Sequence, residues 1–367
     1  MKPLTILHTE SSCGWGGQEI RILTEAQGFI ERGHAIQLLC PRESTIYKAA
    51  LKQGIPVVAA PIARKNLSGL YWLRKWLQTH IKTFDLINTH SSTDSWLVAL
   101  AQQLLLDKRP IVRTRHVSSP ISLDRATRWL YQSAAQHIVV TGEPLKRHLI
   151  EHNHFVAKHI TSIPTGIDLS RFFPRDSAAI KVQLGIEGTI IGILATLRNW
   201  KGHHYLIEAF KLLSEQHTDL RLLIVGDGPQ ADNINKFIDQ LGLKSKVLCV
   251  GQQDNPELWL NAMDIFVLPS YGDEGVSQAV MQAMASRIPV ITTAVGGMTD
   301  AVQDGDTGLL VDTHSSQAIV NAINKLLQQP VLAQQLAIAG YERAQALFGV
   351  VAMLDKMEMV FQSVLKK

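Results

Sequence analysis

The chain has 367 residues, 46% of them hydrophobic, and a formal net charge of +4, with a sequence pI near 8.9; that length suggests two domains, and the mild positive balance suits an acidic ligand or an anionic surface as well as nucleic acid. Its three cysteines, Cys13, Cys40 and Cys249, are far apart and form no C-x-x-C pair, which argues against a disulfide framework or a zinc site and fits a reducing cytosol. The N-terminal apolar run is too short for a signal peptide, and the longest greasy stretch, "WLVALAQQLLL" at 96–106, falls short of the roughly 20 residues that span a bilayer.

In chain order, strands are expected at 4–9, 35–40, 85–90, 110–115, 137–141 and 159–164. A second series is expected at 189–197, 220–226, 246–251, 265–269, 289–293 and 308–311. Amphipathic helical patterns separate most of them, for example "GHHYLIEAFKLLSEQ" and "SQAIVNAINKLLQQ". This alternation predicts parallel sheets covered by helices on both faces, hence an α/β protein with two doubly wound domains. Turn formers in "PTGIDLSRFFPRDS", residues 164–177, mark the junction. The expected domains are 1–170 and 171–348. After residue 330 the chain reads as wholly helical, and 349–367 is a helix that either caps the second domain or crosses back to the first.

Ligands of open parallel sheets bind at the carboxyl ends of strands, so the loops after strands carry the candidate sites. After strand 4–9, Gly14, Gly16 and Gly17 precede a helix beginning near Glu19. Such glycines let backbone approach a ligand at a positive helix end, or simply make a tight turn; the dinucleotide spacing G-x-G-x-x-G is absent. After strand 110–115 stand Arg113, Arg115 and His116, the first domain's best substrate-contacting group. After strand 189–197, Arg198 and Lys201 suit a diphosphate: a fork and a point charge at a helix start, where the dipole disfavours cations. Gly226 and Gly228 follow strand 220–226, and Gly251 and Gln252 close strand 246–251; these loops frame a base or ribose, or are ordinary turns.

After strand 265–269 comes "PSYGDEGVSQ". Gly275, Val276 and Ser277 are read as the first turn of a helix, with free N–H groups for an anion. Glu274 sits just ahead, placed for sugar hydroxyls. Gln282 lies eight residues on, about 12 Å along a helix axis, roughly the reach from a hexose across a diphosphate to a ribose.

"EGVSQAVMQAMASRIPVITTAVGGMTDAVQDGDTGLLV", "ATLRNWKGHHYLIEAF", "ITSIPTGIDLSRFFP", "LLIVGDGP" and the glycines near "GGQE" together resemble the retaining glycosyltransferases of family 4. The resemblance covers nearly the whole chain and is most specific in the second half. It implies the GT-B fold: two Rossmann-like domains facing a central cleft, and a C-terminal helix returning to the N-terminal domain. The first domain would take the acceptor and the second the nucleotide-sugar donor. The family's E-x7-E motif falls on Glu274, which would contact the donor sugar, and on Gln282, where the family has a second acid; an amide can still donate to and accept from ribose hydroxyls. The family's arginine, five residues before Lys201, is Thr196 here, so Arg198 on the same loop is given that role. His116 corresponds to the first-domain histidine near the donor hexose, Gly16 and Gly17 would approach the donor phosphates, and Arg113 and Arg115 would face the acceptor.

The implied activity moves a sugar from a UDP-, GDP- or ADP-linked donor to a hydroxyl of a glycolipid or polysaccharide, of the lipopolysaccharide type, with no cofactor, no metal and no nucleic-acid partner. Arg198, Lys201, Glu274 and His116 would be catalytic. Family members work at the cytoplasmic membrane face, and "ARKNLSGLYWLRKWLQTHIK" (63–82) has the composition of an interfacial helix, or packs its aromatics into the first core. The alternatives are a nucleotide-sugar epimerase or phosphorylase of the same fold, or a non-catalytic nucleotide-sugar binding protein.

Overall fold

The computed structural model describes residues 2–116, 121–272 and 274–366. The chain divides into two compact units, Met1–Gly166 with Val350–Lys367, and Ile167–Gly349.

The first unit is built on a seven-stranded parallel sheet. Its strands are β1 (Thr5–Thr9), β2 (Ala35–Cys40), β3 (Val57–Ala59), β4 (Leu86–Thr89), β5 (Ile111–Arg115), β6 (His137–Val140) and β7 (Ile160–Ser162), in the order β3-β2-β1-β4-β5-β6-β7. β4, β5 and β6 are buried at every position, as expected of strands covered on both faces. β3 was not anticipated from the sequence. It is a half-buried edge strand of three residues, and Pro56 before it removes one donor, so little apolar pattern marks it.

The helix Gly17–Glu31 packs against β2, and the C-terminal helix Val350–Leu365 packs against that helix. Ile22, Phe29, Met353, Leu354, Met357 and Phe361 share one apolar cluster, with the Phe29 and Phe361 rings 5.4 Å apart. Deleting a buried phenylalanine of this kind costs about 3–5 kcal/mol. Arg21 is fully buried in the same layer, donating to the Ile163 carbonyl at 2.6 Å, with Glu25 at 3.7 Å. Burial pushes the Glu25 carboxyl up to about 7 despite that arginine.

The second unit carries six parallel strands: β8 (Thr189–Leu194), β9 (Leu220–Val225), β10 (Val247–Cys249), β11 (Ile265–Leu268), β12 (Val290–Thr293) and β13 (Leu309–Val311). Their order is β10-β9-β8-β11-β12-β13. Phe210, Phe266, Met281 and Met284 are fully buried in its core. Both sheets thus share the doubly wound order in which the first strand of the unit lies beside the fourth, the topological switch point at which such sheets bind ligands. The α/β, doubly wound architecture expected from the sequence is the one observed.

In the stretch 63–82, the helix Leu67–His80 buries Leu73 and Leu77 and packs Trp72 and Trp76 against the core, while Leu67 and Tyr71 stay exposed. Both tryptophans therefore take the core alternative. Among the described residues no helix is long and apolar enough to cross a membrane.

Candidate active site

In the second unit, β8 and β11 are adjacent, and the loop after each is where the switch-point rule places a ligand. The loop after β8 ends in a single turn, Asn199–Lys201, closed by Gly202 at φ +74. A Cβ at Gly202 would lie 2.1 Å from the Pro269 carbonyl oxygen, so only glycine permits this approach. The approach carries Lys201 to the end of β11. There Lys201 Nζ lies 2.6 Å from Glu274 Oε1, with side chains 17% and 11% exposed. Ser270 Oγ donates to the same carboxylate oxygen at 3.0 Å. So enclosed a pair is held by charge-assisted hydrogen bonding in place of water.

The Glu274 main chain is gripped from β12's loop. Gly297 N donates to the Glu274 carbonyl at 2.8 Å. Gly296 sits at φ +53, where a Cβ would come within 1.9 Å of that carbonyl oxygen. This clamp corrects the sequence reading of 275–277. Ser277 is extended and caps a helix that begins at Gln278 and runs to Ala285, so Gly275, Val276 and Ser277 precede the helix instead of forming its first turn. The reason is tertiary: the Glu274 carbonyl that would have accepted an intrahelical bond is taken by Gly297 N from the next loop. Among the described residues no protein acceptor meets the N–H groups of Gly275, Val276 or Ser277, and they remain free to bind an anion. Gln282 is half-buried within the helix, so it does not share one continuous helix with Glu274.

Arg198 lies on the same loop as Lys201 but is exposed, its guanidinium 5.1 Å from the Trp200 ring centroid. Lys201 N donates to the Arg198 carbonyl at 3.1 Å, but among the described residues no side-chain hydrogen bond or ion pair joins the guanidinium to Lys201 or Glu274. Thr196 is exposed, its carbonyl accepting from Arg198 N at 2.8 Å. Gly226 and Gly228 belong to a loop that braces this one: Leu197 N donates to the Asp227 carbonyl and Gln230 N to the Leu197 carbonyl, both at 3.0 Å, while Gly226 N donates to Gly251 at 2.8 Å. Gln252 beside them is exposed.

Sequence reasoning missed His203, which opens the helix His203–Gln216. It is buried, and burial, reinforced by Lys201 and opposed by the Arg198 backbone, lowers it to about 4. Its place directly after Lys201-Gly202 was the available signal.

In the first unit the switch point lies between β1 and β4. Gly16 caps the helix that starts at Gly17. Glu10, just past β1, accepts from Ser12 N at 2.6 Å, from Gln18 Nε2 at 2.5 Å and from the Ser91 hydroxyl. Burial and then the neighbouring Asp94 push Glu10 up to about 8. Three imidazoles from the ends of β1, β4 and β5 form a hydrogen-bonded chain. His8 Nδ1 lies 2.9 Å from His90 Nε2, and His90 Nδ1 lies 3.0 Å from His116 Nε2. The rings stack at 5.2 Å in both pairs. Burial lowers His8 to about 3 and holds His90 and His116 well below the usual imidazole range, which favours their uncharged forms. Only His116 was anticipated from the sequence; His8 and His90 lie within expected strand segments and were not singled out.

Arg113 and Arg115 project from β5 and are both buried. Arg113 stacks 4.5 Å from the Tyr131 ring centroid, and Arg115 Nη1 donates to Tyr131 Oη at 3.2 Å. Among the described residues no group of three His, Cys, Asp or Glu is gathered as a metal would require.

Two doubly wound units, each with charged side chains at the carboxyl ends of adjacent first and fourth strands, define the GT-B class of glycosyltransferases. Residues 176–343 match the family model described as Glycosyl transferases group 1, and residues 15–171 match Glycosyltransferase Family 4. The chain is 28% identical over 298 residues to an N-acetyl-alpha-D-glucosaminyl L-malate synthase of Bacillus anthracis, covering 78% of this chain and 76% of the relative. It is 30% identical over 290 residues to a D-inositol 3-phosphate glycosyltransferase of Corynebacterium aurimucosum, covering 71% of this chain and 68% of the relative. Among solved structures it resembles the Anabaena protein HepE in complex with UDP, with a TM-score of 0.86, 21% identity, and 98% of this chain and 100% of that one covered. The chain belongs to glycosyltransferase family 4 and is a sugar-transferring enzyme.

Proposed function

We propose that the protein transfers a sugar, with retention at the anomeric carbon, from a nucleotide-diphosphate-sugar to an acceptor hydroxyl. The observation that carries this reading is the Lys201–Glu274 pair at the switch point of the second unit, beside the free N–H groups of Gly275 and Val276. When a donor enters, Lys201 and those amides take the diphosphate, and Arg198 swings from the Trp200 ring onto its oxygens. Glu274, relieved of the lysine, accepts from sugar hydroxyls. Gln282 contacts the ribose, with Gly226, Gly228, Gly251 and Gln252 shaping the nucleoside end.

As the bond from the anomeric carbon to the diphosphate oxygen breaks, negative charge grows on the leaving group. Fixed donors aimed at that charge lower the barrier by about 3 kcal/mol each. The acceptor oxygen bonds to the anomeric carbon, and its proton passes to a departing phosphate oxygen. In this proposal His116 serves the donor hexose, Gly16 and Gly17 its phosphates, and Arg113 and Arg115 the acceptor. The nucleoside is uridine on this reading, which the UDP complex of HepE supports.

The acceptor is a small soluble hydroxyl compound, as the names of the malate and inositol 3-phosphate relatives suggest. A glycolipid or polysaccharide acceptor at the inner membrane face is the second reading. One observation favours it: Leu67, Tyr71 and Lys75 line an exposed face of the helix Leu67–His80, next to exposed Arg64 and Lys65. A panel of UDP-, GDP- and ADP-sugars, scored by hydrolysis and by rise in melting temperature, tests the donor. The proposal requires at least one UDP-sugar to register in both; silence across the panel would overturn it.

A further inference from the structure

Arg113 is 3% exposed, yet among the described residues its Nε and Nη1 are buried with no hydrogen-bond partner. A buried guanidinium left without acceptors costs more than almost any other polar defect, and the Tyr131 ring beneath it offers a π face but no acceptor for those N–H groups. The Asp94 carboxylate does not serve. Asp94 feels the charge of Arg113, but its oxygens are occupied: Oδ2 accepts from Thr9 Oγ1 at 2.7 Å and His90 N at 3.0 Å, and Oδ1 from Ser91 N at 2.8 Å and Ser11 Oγ at 3.4 Å.

Other cations gather around Arg113. Arg115 stands two residues on along β5, joined to the same Tyr131. Lys65 donates to Ser92 Oγ at 3.2 Å, at the start of the helix Ser92–Gln103, and lies 5.7 Å from the Trp96 ring centroid. Arg113 depresses the basicity of both Lys65 and Arg115, after burial in each case. A buried, unmet guanidinium that repels a cation on each of two neighbouring elements forms an incomplete site. The level is right as well: Arg113 pairs in register with Thr89, which pairs with Thr9, at the carboxyl edge of β1, β4 and β5.

We propose that this cluster binds an oxyanion, a phosphate or carboxylate carried by the acceptor, with Arg113 as the fork that grips it and Lys65 and Arg115 completing the charge. This rests on the reading above that the first unit takes the acceptor, and it deepens that reading by naming the acceptor's chemical class. The anion belongs either to a soluble acidic acceptor or to a lipid headgroup; a bidentate arginine contact serves both.

The test uses the full chain with saturating UDP, so that the donor-side anion site is filled, and inorganic phosphate as the probe. The rise in melting temperature caused by UDP alone reports the donor reading separately. On top of it, millimolar phosphate is expected to raise the wild-type melting temperature by a few degrees. Arg113→Gln is expected to abolish that second rise, Arg113→Lys to keep part of it, and Lys65→Gln to weaken the phosphate response several-fold. If Arg113→Gln fails to fold, the other two variants decide. Vesicles of phosphatidylglycerol against phosphatidylcholine form the second arm: Arg113-dependent sedimentation with phosphatidylglycerol identifies a headgroup, and a phosphate response without it identifies a soluble acceptor. A wild-type protein deaf to phosphate and to anionic vesicles, or variants that respond as wild type does, would overturn the proposal.

Discussion

Lys201 Nζ lies 2.6 Å from Glu274 Oε1, at the ends of two strands that are neighbours in the sheet but far apart in the chain. On the proposed function the pair's ammonium would take a phosphate and its carboxylate the hydroxyls of a sugar. Lys201→Ala and Glu274→Gln are each expected to lower kcat/KM for transfer by about 10²–10³. Steady-state kinetics with the donor found by the panel checks this, and a change below threefold in both variants would sink the assignment.

The backbone clamp on Glu274 gives a sharper prediction, because it acts on that residue through the main chain. Gly296→Ala places a Cβ within 1.9 Å of the Glu274 carbonyl oxygen at φ +53. The variant is expected to lose about 1–3 kcal/mol of stability and to lose activity beyond that, since Glu274 must move. Urea melts and kinetics on one preparation separate the two. Wild-type activity in a folded Gly296→Ala protein would show that the position of Glu274 is immaterial.

Burial and Lys201 lower the folded-state value of His203 to about 4, against about 6.5 in the unfolded chain. Between those values the unfolded chain binds a proton that the folded chain refuses. The contribution of His203 is therefore fully present above pH 6.5 and is lost as pH falls toward 4, at up to about 1.4 kcal/mol per pH unit. His203→Gln is expected to be less sensitive to acid over that window. Parallel pH dependences in urea melts of the two proteins would refute the reading.

The imidazole chain makes a statement about protons. His8 Nε2 has no partner. A bare lone pair there leaves less unmet than an N–H would, so the proton sits on Nδ1 and is donated to His90. His90 in turn donates from Nδ1 to His116 Nε2, and His116 carries its own proton on Nδ1. Nitrogen-15 spectra of the imidazoles should show all three as neutral Nδ1–H tautomers at pH 7. His8→Phe is expected to release His116 into a mixture of tautomers; an unchanged His116 spectrum would contradict the chain.

Much of the fold was legible in the sequence. Each of the twelve anticipated strands appears within a few residues of its expected bounds, because a buried parallel strand is a short apolar run and such runs are local. β3 escaped because three half-buried residues after a proline carry almost no such run. Lys201 and Glu274 were legible as loop residues after strands, but their contact was not, since it depends on β8 lying beside β11. The start of the helix at Gln278 was misplaced because Gly297, some twenty residues downstream in the chain, takes the carbonyl that local pattern assigns to the helix.

By itself, then, the sequence determined the alternation of strands and helices, the two-unit plan and the loops that carry charge, since these follow from periodicity and turn chemistry within short windows. The tertiary structure alone decided which loops meet: the Lys201–Glu274 pair, the stack of His8, His90 and His116 from three strands, and the unmet guanidinium of Arg113. Strand order and burial bring those groups together, and neither is written in any one stretch of chain; whether a buried polar atom finds a partner depends on what the rest of the fold places beside it.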